Sequence, residues 1–376
     1  MIFTIVVFLL VLSLLVFVHE LGHFLTARKF GVGASEFGFG FPPRVIGFYK
    51  DQNNKWKKVV GGKEVTDAKD TVYSINAIPL GGFVKIKGEN GDDASDKDSF
   101  ASRPIWQRFL ILAAGVTMNV ILAMALLSFG YMIGLPHSSE NLPKSAIVTE
   151  SNVQIMDVAK DSPAAKAGIT AGDAILKVNG HDVKSETEVQ SLITAAGTSQ
   201  MMIGLQHLGQ YKDIYVTPTW SKDYNKNIVG ISMASASVVR YPWYLAFWYG
   251  SKDAIIYLWM IIVSFGALIA SLFGGASMAG QVAGPIGIAT ITGQAARMGF
   301  SYLLQFAALL SLNLAVINFI PFPALDGGRA LFLLFEKIKG RPVKRELETV
   351  MHNIGFALLM LLVLVVTFKD ILKFFK

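Results

Sequence analysis

Long runs without a charged side chain constrain this protein more than any other feature of its sequence. Met1 to Val18, Phe109 to Pro136, Ala254 to Ala296 and Met298 to Leu325 contain no Asp, Glu, Lys or Arg, and a fifth apolar run covers Thr349 to Phe368. About 20 apolar residues suffice for one helical crossing of a bilayer. The runs therefore predict a polytopic α-helical membrane protein, and a composition that is 52% hydrophobic and 16% charged agrees. No basic segment precedes the first run and no small-residue cleavage site follows it, so it reads as a retained span rather than a removable signal peptide.

The net charge of +7 does not point to nucleic acid, because the basic residues lie mainly between the spans, where they set orientation. Arg28 and Lys29 close the first run and many Lys and Arg residues lie between there and Arg103. That asymmetry puts Met1 outside and the inner end of the first span on the cytoplasmic side. There are no cysteines, which excludes disulfides, thiolate metal ligands and a cysteine nucleophile.

The expected segments are a first transmembrane helix (1–27), a cytoplasmic, membrane-associated β region (28–103) and a second transmembrane helix (104–136). A compact domain (143–221) follows, then its C-terminal region with interfacial or re-entrant helices (222–297). A third transmembrane helix (298–327) leads to a cytoplasmic loop and a fourth helix (328–376). Val72 to Ile86, VYSINAIPLGGFVKI, is β-branched and aromatic with a Pro-Leu-Gly-Gly interruption, which predicts strands joined by a turn. Val153 to Ser185 has alternating strands, a short Ser-Pro-Ala-Ala helix and an Asn-Gly hairpin. Ala254 to Ala296 must return to the side on which it starts if Asp326 is to reach the depth of His19. It is therefore expected at the outer interface or dipping in and back, broken at GGASMAGQVAGPIG, which leaves four transmembrane helices with both termini outside.

The chemistry is concentrated at two places. HELGH puts His19 and His23 on one helix face, with Glu20 about 60° around from His23 and within reach of a metal-bound water. Ionisable groups inside spans are costly and mark function. A second such group, Asp326, follows Pro321 and Pro323 in NFIPFPALDGGR, where unwound backbone is tolerated only if it lines a cavity. Two imidazoles and one carboxylate leave the fourth tetrahedral position for water, as in a catalytic zinc site. Asn318, two turns before Asp326, either bonds a substrate backbone or satisfies a carbonyl freed by Pro321. His137, His181, His207 and His352 read as solvated or hydrogen-bonded, and Asn119 as bonded to a neighbouring helix.

HELGH, GFGFPPR (38–44), PLGGFVKIKGE (79–89), AAGVTMN (113–119), GPIGIA (284–289) and NFIPFPALDGG (318–328), in this order over nearly the whole chain, resemble the bacterial site-2 proteases of the regulator-of-sigma-E type. Val116 stands where the family often has proline, and one PDZ-like domain is visible where some members have two. The resemblance implies that His19, His23 and Asp326 bind Zn2+ and that Glu20 is the general base. It also implies that the β-element around Gly81, Gly82, Phe83 and Val84 pairs with an extended substrate. The 143–221 domain then resembles an extracytoplasmic PDZ-like α+β domain that either captures a carboxyl terminus or acts as a size filter, the second being favoured slightly. The implied substrate is a single-pass membrane protein in the lipid bilayer of the bacterial inner membrane. It would be an anti-sigma factor or a signal-peptide remnant, trimmed beforehand by another protease. The alternatives from other classes are a PDZ-based scaffold with a non-catalytic metal site and a metal transporter. Neither explains Glu20 beside the ligand pair.

Overall fold

The structure is a computed structural model that describes residues 2–89, 95–138, 145–207, 210–222, 224–273, 283–341 and 343–375. Its elements, in chain order, are α1 (Ile2–Lys29), β1 (Ala34–Lys50), β2 (Trp56–Val60), β3 (Val72–Ile86), α2 (Ile105–Ile133), β4 (Leu135–Ser138), β5 (Ile147–Val158), α3 (Pro163–Lys166), β6 (Ala174–Val178), β7 (His181–Asp182) and α4 (Glu186–Ala196). There follow β8 (Met201–His207), β9 (Gln210–Val216), β10 (Thr219–Ser221), β11 (Lys226–Ile228), β12 (Ile231–Arg240), α5 (Trp243–Phe273), α6 (Pro285–Met298), α7 (Phe300–Phe319), α8 (Asp326–Lys339) and α9 (Arg345–Phe375). The chain divides into two compact units.

One unit comprises residues 1–124, 253–289 and 307–376. In it α1 and α2 approach closely at Gly22, where a Cβ would stand 2.4 Å from the Ala114 carbonyl oxygen. Small residues let backbones pack this tightly where lipid supplies no hydrophobic drive between helices. The predicted β region is an antiparallel sheet of order β2-β1-β3. The first half of β1 pairs with both halves of β3, Phe37 opposite Val84 and Tyr73, and its second half pairs with β2. Phe37 and Phe24 stack at 4.6 Å, fastening the sheet to α1. Glu36 and Arg44 form a bidentate pair with two 2.8 Å bonds. Burial pushes the Glu36 carboxyl up, but the Arg44 bonds and the neighbouring charges together hold it below its ordinary range. The amphipathic α8 buries Leu333 against Ile111 and Leu112 of α2.

The other unit comprises residues 125–252 and 290–306. Its sheet runs β4-β12-β5-β6-β8-β9, with β7 paired to β6. The core is Val153, Ile155, Ile175, Val178, Ile203 and Leu205 with Val189 and Ile193 of α4, the alternation expected of strands buried on one face. Ser162 caps α3 and Ser185 caps α4 through side-chain oxygens. The sheet extends beyond the expected 143–221 segment, because β12 pairs along β5 from Ile231 to Arg240. Strand pairing across the intervening β10-β11 hairpin leaves no local sequence signal.

Among the described residues five helices are long and apolar enough, by length and composition alone, to cross a membrane, one more than the number of full crossings expected. The additional one is α5, a continuous helix from Trp243 to Phe273 in the region expected to be interfacial or re-entrant. The expected break at GGASMAGQVAGPIG lies mostly outside the described residues: 274–282 are not described, and α6 starts at Pro285.

Candidate metal centre

The helical spacing of HELGH brings His19 and His23 together as expected, both buried on α1. Their ring planes stand at 82° with centroids 4.8 Å apart. Asp326, the first residue of α8, reaches the same point. His19 Nε2 lies 3.0 Å and His23 Nε2 3.3 Å from Asp326 Oδ2, and the two Nε2 atoms are 3.2 Å apart. Among the described residues these three form the one His/Asp/Glu group able to hold a metal ion. Donors about 2.0 to 2.1 Å from one tetrahedral centre lie roughly 3.3 Å from each other, so the separations and the nitrogen-oxygen donor set both fit zinc.

The outer nitrogens of the two rings fit as well. His23 Nδ1 donates to the Ile111 carbonyl at 2.8 Å, which leaves the Nε2 lone pair facing the other donors. His19 Nδ1 meets the Asn119 side-chain amide at 3.2 Å. With the amide nitrogen turned to the ring, Asn119 Oδ1 is buried without a partner. Exchanging amide nitrogen and oxygen lets Oδ1 accept from Nδ1–H, satisfies both groups and again frees Nε2. Ser311 on α7 donates to the Asn119 carbonyl at 2.8 Å, tying α7 to this face of α2. Gly115 completes the face, since a Cβ there would lie 2.4 Å from His23 Nε2 and 2.7 Å from His19 Cε1.

Asp326 owes its position to the loop after α7. Gly327 and Gly328 sit so close to the Phe319, Ile320 and Phe322 carbonyls that any Cβ would come within 2.3 Å of them. The start of α8 therefore lies directly on the end of α7. Glu20, Asn318 and Asp326 line one cavity of about 210 Å³ with Val16, His19, Leu314, Ala324 and Leu325. The Asn318 side-chain nitrogen is 3.3 Å from His19 Nε2, so this residue faces the candidate ligand group. Gly81 and Gly82 press against Val16 and Phe17 of α1, with built Cβ contacts of 2.4 Å and 3.1 Å. Phe83 and Val84 continue that strand opposite Gly38 and Phe37. None of these four is in the cavity wall.

Sequence reasoning assigned Asn119 to a neighbouring helix and gave no role to Ile111, Gly115 or His352. The first three fall at i, i+4 and i+8 of α2, a single helical stripe, but in so uniformly apolar a span that spacing does not stand out. His207, read as solvated or hydrogen-bonded, is paired with Asp173.

Apolar helices that bring two imidazoles, a carboxylate and a glutamate together at one cavity point to a metallopeptidase of the membrane-embedded class. The model of peptidase family M50 matches residues 7–362, and the chain belongs to that family, the site-2 proteases. It is similar to the regulator of sigma-W protease RasP of Bacillus subtilis, with 30% identity over 99% of both chains. A putative zinc metalloprotease of Clostridium acetobutylicum is 32% identical over 98% of this chain and 97% of its own. Among solved structures, the PDZ domain of an SdrC-like protein from Listeria monocytogenes is similar over 23% of this chain and 92% of its own, at 26% identity and a TM-score of 0.22. The protein is accordingly a zinc-dependent metallopeptidase.

Proposed function

We propose that the protein cuts single-pass membrane proteins within their transmembrane segments, with His19, His23 and Asp326 as zinc ligands and Glu20 as general base. The observation that carries this is the meeting of the three donor atoms at 3.0 to 3.3 Å beside a cavity whose wall includes Glu20. Bound zinc would polarise the scissile carbonyl and lower the pKa of water to roughly 7. Glu20 takes the proton of the attacking water and delivers it to the leaving amine. Asn318 offers its amide to the substrate backbone.

A helical substrate shelters its peptide bonds in internal hydrogen bonds, so it has to be extended before it is cut. Gly82 to Ile86 is suited to receive it. Among the described residues this segment pairs on one side only, with Ala34 to Phe39, and its start lies against α1 one turn before His19. Strand addition to that edge would hold the substrate extended.

In the proposed topology both termini and the sheet-rich domain lie outside the inner membrane, and the metal centre faces the cytoplasmic side with Arg28 and Lys29. The link between α6 and α9 supports it. Ala324, beside the metal centre, bonds to His352 of α9. Asp370, about 27 Å further along α9 at 1.5 Å per residue, accepts from the Gly287 amide at 2.9 Å. The start of α6 is thus about a membrane thickness along α9 from the centre, as the proposed topology requires. The sheet-rich domain acts as a PDZ-like size filter for substrates already trimmed. Ser235 N on β12 donates to Glu186 Oε1 at 2.9 Å, which occupies a backbone amide that strand capture would need. The similarity to a sigma-W regulator makes an anti-sigma factor the first substrate to try, with signal-peptide remnants second. Glu20→Gln should keep zinc and lose cleavage of a reporter transmembrane helix, and undiminished turnover would refute the assignment.

A further inference from the structure

Asp326 reaches the histidines from a loop held by its own short-range bonds, such as Phe322 N to the Ile320 carbonyl at 2.7 Å and Leu325 N to the Phe322 carbonyl at 3.2 Å, and by contacts from another helix. Ala324, two residues earlier, has φ of +78°, a left-handed conformation that an L residue with a Cβ avoids. Its amide hydrogen is taken by a side chain from another helix: Ala324 N donates to His352 Nδ1 at 2.8 Å. The imidazole therefore carries its own proton on Nε2, which is buried and has no hydrogen-bond partner, the nearest carboxylate, Glu348, standing at 3.9 Å. An acceptor held at the cost of an unsatisfied donor on the same ring is fixed by its surroundings. Phe332 of α8 packs on the ring at 5.6 Å. One turn along α9, Gly355 lies so close to Pro323 that a Cβ would stand 2.4 Å from the Pro323 carbonyl oxygen. The loop is clamped between the paired glycines of α8 and this glycine of α9.

We infer that His352 is a positioning residue for the metal centre. Its Nδ1 holds the Ala324 amide, keeps the backbone in the left-handed turn and so aims the Asp326 carboxylate at the point where the two Nε2 atoms converge. The inference rests on the metallopeptidase reading of that centre. A helix far from HELGH in sequence thereby sets the third ligand. Removing the acceptor leaves Ala324 free to return to a negative φ, which swings Leu325 and Asp326 away from the histidines.

The test uses the full chain in detergent with three substitutions. Asn places its Oδ1 where Nδ1 was, Gln places its oxygen near the former Nε2, and Leu offers no acceptor. Loss of an outer contact to a metal ligand typically costs about 10- to 100-fold in metal affinity. His352→Leu and His352→Gln should therefore surrender zinc to a competing chelator at about 10-fold lower chelator concentration or less, while His352→Asn returns retention toward wild type. Cleavage of the reporter helix should follow the same order. Leu retaining zinc like wild type, or Gln rescuing as well as Asn, would overturn the inference, since only an acceptor at the δ position meets the Ala324 amide. Zinc retention is read without cleavage, so this series decides the role of His352 even where Glu20→Gln overturns the peptidase reading.

Discussion

Replacing Gly115 by alanine adds one methyl group at the most crowded point of the centre. The new Cβ would stand 2.4 Å from His23 Nε2 and 2.7 Å from Cε1 of both histidines, where ordinary contacts begin at 3.4 Å. Reaching 3.4 Å takes a movement of about 1.0 Å by His23 and about 0.7 Å by His19, the first enough to break the 2.8 Å bond of His23 to the Ile111 carbonyl. Separating the helices instead would give up the close contact of Gly22 with Ala114, the residues next to His23 and Gly115. Functional constellations tolerate displacements of about 0.5 Å, and a 1 Å error costs on the order of 100-fold in rate, which is about 2.7 kcal/mol of barrier. Folding should change far less. Alanine is the better helix former by about 1 kcal/mol, against roughly 1 to 3 kcal/mol for overpacking. Purified Gly115→Ala should thus keep a melting temperature near wild type, lose most of its zinc by elemental analysis and cleave a reporter helix about 100-fold more slowly. Thr117→Ala, two residues on and directed away with its hydroxyl on the Ala113 carbonyl, is the matched control. Wild-type zinc content together with wild-type turnover in Gly115→Ala would refute the account of how α2 shapes the ligand pair.

Three further outcomes are expected. Asn119→Leu removes the group that accepts from His19 Nδ1 and should weaken zinc retention about 10-fold or more, whereas Asn119→Asp, still an acceptor, should hold it; equal loss in both would argue for packing alone. Burial opposes the charged form of Glu36, yet its pKa is depressed, with the bidentate bonds and the charge of Arg44 the main opposing cause. The stabilisation is therefore present above the unfolded carboxyl range and is lost as pH falls through the lower folded value. Hydrogen exchange in β1 and β3 should rise on acidification below about pH 4 in wild type, and Arg44→Gln should already show fast exchange at pH 7. Deleting the domain between α2 and α5 should raise cleavage of substrates that keep a bulky outer domain and leave trimmed ones unaffected; the opposite pattern would favour carboxyl-terminal capture.

What the sequence disclosed and what it hid divide by the range of the interactions involved. The ligand pair was legible because i, i+4 spacing on a helix is local geometry, and Asp326 because a lone acid after two prolines contrasts with the apolar run before it. Ile111, Gly115 and Asn119 lie in a span where nearly every residue is apolar. Periodicity there does not mark which stripe faces α1, so their roles depend on a helix crossing some 100 residues away in sequence. The same applies to β12, whose partner β5 precedes it by a whole subdomain. For α5 the limit is different: a helix of this length and composition satisfies the requirements of a span and of an interfacial helix alike. Local pattern supports either, and only contacts distant in sequence bear on the choice.

The contacts around the centre explain how a bilayer protein tolerates this much polarity. His23 is satisfied by a backbone carbonyl of α2, His19 by a side-chain amide of the same helix, and the turn before Asp326 by an imidazole of α9. Both buried imidazoles, and the turn before Asp326, thus have a partner supplied by a helix that carries none of the three donor residues, which offsets the cost of burying polar groups away from water. Sensitivity to substitution should follow from that division. Changes at α2 and α9 positions remote from the reacting atoms should cost zinc before they cost fold. A conservative exchange at a lipid-facing position of the same helices, such as Leu361 on α9, which is 57% exposed, should cost neither.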